Sequence, residues 1–121
     1  MTKVDIALPT IHDLRAALSA RKAAAAQAAH ACFERIDAED KTIHAYLALD
    51  REGALKKAAE IDAAAANGES LPALAGVPIG IKDVLTQHGL PATAGSKILE
   101  GYRPPYTATA VRKLADGKKR S

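Results

Sequence analysis

The chain has 121 residues, of which 48% are hydrophobic and 26% charged, with a formal net charge of +3 at neutral pH. This length accommodates one ordinary domain, but an aromatic share of 3% and an abundance of alanine limit the area that a core can bury. No run of about 18 consecutive apolar residues suggests a membrane span, and the single cysteine, Cys32, excludes an intrachain disulfide, so the chain reads as cytoplasmic.

In chain order, the first predicted helix starts at Thr10, whose hydroxyl can cap free N–H groups, with Asp13 favoured by the helix dipole. Ile11, Leu14, Ala17 and Leu18 share its inner face. A second helix is predicted over residues 22–37, where Ala25, Ala29, Cys32, Phe33 and Ile36 form one apolar stripe. Residues 44–49 read as a strand or an extended link. Asp50 then caps a third helix, with Ala54, Ala58, Ile61 and Ala65 inward and Asn67-Gly68 as its stop signal.

At Gly68 the alanine-rich pattern gives way to turn residues and a β-like run over residues 77–83. Strand alternation would place Val77, Ile79 and Ile81 on one face and Pro78, Gly80 and Lys82 on the other. Lys82 would then point away from the apolar side, with open space beside it at Gly80. Gly89-Leu90-Pro91 and Gly95-Ser96 carry turn chemistry. Thr107 is predicted to cap a last helix running to about Leu114, with Ala110, Val111 and Leu114 buried. The expected division is a helical segment over 1–70, a second segment over 71–114 and an atypical basic tail over 115–121. In that tail Asp116 opposes Lys118, Lys119 and Arg120, a net +2 that leaves 3 − 2 = +1 for the remainder. The charge therefore describes a solvated chain end better than a nucleic-acid face.

Three strings stand out: Leu74-Ala-Gly-Val-Pro78 leading into Ile81-Lys82-Asp83, then Thr93-Ala-Gly-Ser96, then Pro104-Pro105-Tyr106 before Ala108-Thr109. Together they closely resemble the opening of the amidase-signature family. The upstream strings Thr10-Ile-His-Asp-Leu-Arg15 and Ala45-Tyr-Leu-Ala-Leu-Asp50 resemble its amidotransferase A subunits in particular. The resemblance implies an α/β fold in which N-terminal helices lead into the first strands of a mixed sheet, incomplete in this sequence. It also implies a lysine, a serine in a cis peptide bond and a nucleophilic serine as catalytic triad, with Lys82 in the lysine's place. The implied chemistry is hydrolysis of the glutamine amide, the ammonia serving to convert Glu-tRNA(Gln) to Gln-tRNA(Gln). Partner B and C subunits are implied, with ATP and magnesium used by the partner, tRNA handled mainly there, and no cofactor or metal in this subunit's own step.

The family's serine-bearing glycine-rich segments have no counterpart here. Ser19, Ser70, Ser96 and Ser121 lie in other contexts, so the chain is expected to be inactive alone, and its unfamiliar tail suggests a truncated or frame-shifted product. Rival readings are another amidase-signature hydrolase and a non-catalytic module that docks a partner through its helical stripes. Of the remaining residues, Asp83 reads as a local turn former or as a supporting group for Lys82. Cys32 reads as a small buried hydrophobe. His12, His30, His44 and His88 lack metal-ligand spacing, and residues 89–97 miss a phosphate-binding loop by one position.

Overall fold

The computed structural model describes residues 10–116; residues 1–9 and 117–121 lie outside the described part, and with them the basic cluster of Lys118, Lys119 and Arg120. Within it α1 spans Ile11–Ser19, α2 Ala25–Ile43, α3 Arg51–Ala66 and α4 Thr109–Asp116, with a single 3-10 turn at Lys97–Leu99. The chain forms two compact units, the first ending at Pro78 and the second starting at Ile79.

In the first unit, helix starts and stops follow local chemistry. The Thr10 hydroxyl accepts from the Asp13 N–H at 3.1 Å, and the Asp50 carboxylate accepts from the Gly53 N–H at 3.1 Å. Gly68, at φ 74°, provides the left-handed residue just beyond α3. Helix α2 departs from expectation at both ends. Its start is delayed because Arg21 is left-handed at φ 54° and the Lys22 and Ala23 N–H groups return to the Ala17 carbonyl, at 2.9 and 3.3 Å. Its end lies beyond Asp37, since Ala38, Glu39 and Lys41 sustain a helix and Arg35 pairs with Glu39 one turn on at 3.1 Å. His44 closes it at φ 55°, its N–H on the Asp40 carbonyl at 2.7 Å. Residues 44–49 are then an extended, exposed link, held at its start by the Asp40 carboxylate, which accepts from the Ala45 N–H at 2.6 Å.

Helices α2 and α3 lie antiparallel through small residues. Ala25, Ala29 and Ala58 form the buried cluster, flanked by Leu18, Leu55 and Ile61. At the far end Arg51 stacks over the Phe33 ring, 4.8 Å from its centroid, and pairs with Asp37. The inner face of α3 therefore includes Leu55 rather than the exposed Ala54. At the near end, the residue before α2 is Ala24, which has no side-chain oxygen to offer the first-turn N–H groups. Asp62 of α3 replaces it, accepting from Ala25 at 2.7 Å and Ala26 at 3.0 Å. A carboxylate there meets two otherwise orphaned donors and the positive end of the helix dipole together.

The expected strand over 77–83 is not formed; among the described residues there is no strand at all. The physical reason is pairing: a strand is defined by the hydrogen bonds of a neighbour, and among the described residues the backbone of 77–83 bonds only locally, the Val77 N–H donating to the Leu74 carbonyl and the Lys82 carbonyl accepting from the Leu85 N–H. In the second unit the order comes instead from two irregular segments running antiparallel. Ala92 donates to the Tyr102 carbonyl at 3.2 Å, Gly89 to Pro104 at 3.1 Å, and Ala108 to Thr86 at 2.9 Å. Pro104 is fully buried and Val111 of α4 is 5% exposed, whereas Ala110 and Leu114 of that helix are exposed. Thr107 does not cap α4 as expected: its hydroxyl accepts from the His88 N–H at 3.0 Å, and α4 starts two residues later.

Candidate functional site

The string from Leu74 to Pro78 turns at Gly76, for which two separate requirements exclude a side chain. Its φ of 82° is left-handed, and a Cβ built on it would lie 2.9 Å from Leu18 Cδ1 and 3.2 Å from the Ala25 Cβ. Backbone contact at this glycine seats the string against α1 and the first turn of α2.

In the second unit Lys82 begins a turn that the Leu85 N–H closes on the Lys82 carbonyl at 2.9 Å. The Lys82 side chain is exposed, as is Gly80, and the side chain makes no hydrogen bond or ion pair among the described residues. The setting that would make a lysine a base, burial away from water, is not provided by these residues.

Asp83 does more than form a local turn. One carboxylate oxygen accepts from the Thr93 N–H at 2.9 Å; the other accepts from the Thr93 hydroxyl and from the Gly95 N–H at 3.3 Å. The Gly95 N–H also reaches the Thr93 hydroxyl oxygen at 3.2 Å. These donors, the Thr93 hydroxyl foremost, then its N–H, hold the Asp83 carboxyl below the ordinary carboxylate range; the Gly95 N–H and the nearby Lys82 charge add to this, and partial burial opposes it. The clasped segment is itself a tight turn, closed by the Ser96 N–H on the Thr93 carbonyl at 2.8 Å, with Ala94 at φ 49° and Gly95 at φ 71°. A left-handed alanine costs roughly 1–2 kcal/mol, so this turn needs external support. Two of the strings singled out in the sequence are thus one structural device. Sequence shows both strings, but nothing local pairs an aspartate with a threonine ten residues on.

The remaining candidates are dispersed. Cys32 is half-buried on the wall of an apolar groove of about 400 Å³ in the first unit, which Ile11, Leu14, Ile36, Ile43 and Tyr46 also line. Among the described residues no three His, Cys, Asp or Glu side chains converge, and no helix is long and apolar enough to cross a membrane.

Comparison with known proteins agrees with these strings. The Amidase family profile matches residues 27–117. The glutamyl-tRNA(Gln) amidotransferase A subunit of Acidothermus cellulolyticus is 47% identical over 112 residues, 93% of this chain and 22% of that protein. Its counterpart in Koribacter versatilis is 50% identical over 92% of this chain and 23% of its own length. That of Acidobacterium capsulatum is 58% identical over 70% of this chain. The chain therefore spans less than a quarter of the length of these curated relatives. A solved structure reported as a vestigial protein complex that reveals the origins of an s-triazine catabolic enzyme superposes with a TM-score of 0.86 at 28% identity, covering 90% of this chain and 24% of that one. With a family match over most of its residues and a solved fold that follows its backbone, this chain belongs to the amidase-signature family.

Proposed function

We propose that the chain corresponds to the opening segment of the glutaminase subunit of a tRNA-dependent amidotransferase, with Lys82 in the position of the catalytic base. The observation that carries this reading is the identity of 47% to 58% with A subunits from separate bacteria. In the intact domain, residues 77–83 would pair with further strands of a mixed sheet, and the added polypeptide would desolvate Lys82. A neutral Lys82 amine would then take a proton through a bridging serine from a nucleophilic serine hydroxyl. The serine oxygen attacks the glutamine amide carbonyl, the protonated amine leaves as ammonia, and water hydrolyses the acyl-enzyme to glutamate. Ammonia would pass to a B subunit that amidates Glu-tRNA(Gln) with ATP and magnesium, with a C subunit completing a cytoplasmic heterotrimer. By itself the chain is inactive, because its sequence contains neither triad serine segment.

A chimera tests this. Residues 10–114 replace the matching segment of the Koribacter versatilis protein, whose match covers 92% of this chain, and glutamine-dependent ammonia release is measured. The chimera should turn over and lose at least about 10³-fold in kcat with Lys82→Ala, the scale on which loss of a proton-transfer group acts, whereas the 121-residue chain should release none. A folded but inactive chimera, or ammonia release by the chain alone, contradicts the reading. The structural neighbour with s-triazine links favours a second possibility, hydrolysis of a different amide. Activity on other primary amides in place of glutamine would select it.

A further inference from the structure

We propose that Asp83 is the positioning residue of this site, its carboxylate fastening the Lys82 backbone to the Thr93–Gly95 turn so that the lysine side chain departs from a fixed point. This rests on the base role given to Lys82 above. The Lys82 side chain is exposed and has no hydrogen-bond or ion-pair partner among the described residues, so what these residues fix is the backbone point from which it departs. On one side of that backbone the turn is closed by Leu85, and the next residue is Asp83, gripping Thr93 and Gly95. An aspartate that merely ended a strand would satisfy its oxygens with its immediate neighbours; these oxygens reach ten and twelve residues along the chain. They meet a turn that places a left-handed alanine at position 94, a conformation that persists only where its surroundings enforce it. With both oxygens engaged, Asp83 is also unsuited to accept a proton from a nucleophile. It places the backbone that bears the base and does not act as a base itself.

Two measurements test the proposal on three variants. Asp83→Asn removes the charge and one acceptor, Thr93→Val removes the hydroxyl at constant shape, and Thr93→Ser restores it. In the 121-residue chain, amide hydrogen exchange at Thr93 and Gly95 should quicken at least about 10-fold in the first two and return in Thr93→Ser. In the chimera, kcat for glutamine should fall about 10- to 100-fold with KM within about 2-fold, again restored by Thr93→Ser. An inactive parent chimera defeats the reading of Lys82 and the proposal with it. An active chimera whose kcat is indifferent to Asp83→Asn, or exchange that does not change, overturns the proposal alone.

Discussion

Replacing Asp62 by alanine probes the contact that begins α2. Two first-turn donors, the N–H groups of Ala25 and Ala26, lose their acceptor at 2.7 and 3.0 Å, and Ala24 has no side-chain oxygen to take over. A helix cap is worth about 1 kcal/mol and a hydrogen bond to a charged group about 1.5–3 kcal/mol. Water reaches this half-buried site and replaces part of both, giving a net loss of about 2 kcal/mol. For a unit of this size that lowers the melting midpoint by roughly 10 °C, measurable by circular dichroism at the helical band. A rescue separates capping from lost packing. Ala24 already has cap-like backbone angles, φ −105° and ψ 150°, so Ala24→Ser in the Asp62→Ala background should recover about 1 kcal/mol while adding little to the parent. An Asp62→Ala midpoint within about 2 °C of the parent, or a serine equally helpful in both backgrounds, refutes the account.

Gly76→Ala should destabilise the first unit by about 2–3 kcal/mol, combining the left-handed penalty with overpacking on Leu18 and Ala25. Gly68→Ala, at φ 74° with nothing within 4 Å, should cost only about 1 kcal/mol, so equal urea midpoints for the two would remove the packing argument. The Asp83 clasp has a definite pH dependence. Because the folded state lowers the carboxyl's pKa, its stabilisation is full above the unfolded value and is lost as pH falls through the depressed folded value. The Asp83 carboxyl carbon and the Thr93 amide should therefore titrate together below the ordinary aspartate range, and titration at or above that range contradicts the geometry.

What can be read from sequence is whatever is settled within a few residues. Thr10 and Asp50 cap the helices they precede, and Gly68 ends α3, because each acts on donors or dihedrals within a turn of itself. Features that depend on distant chain are not visible there. The start of α2 is satisfied by a residue 37 positions later, and the Thr107 hydroxyl is taken by His88 instead of α4. The alternation over 77–83 marks residues suited to a sheet, but pairing is a property of two segments, and among the described residues no second strand pairs with it. Lys82 is identified through its string; the clasp beside it emerges only when Asp83 and Thr93 are seen together.

The borrowed cap on α2 also makes the two helices depend on each other. The first turn of α2 has its carboxylate acceptor only where residue 62 is folded into α3 beside it. Without it, water is the acceptor for these two donors and the beginning of the helix frays. A polypeptide ending inside the exposed 44–49 link would therefore lose both the cap of α2 and the partner for its small-residue face.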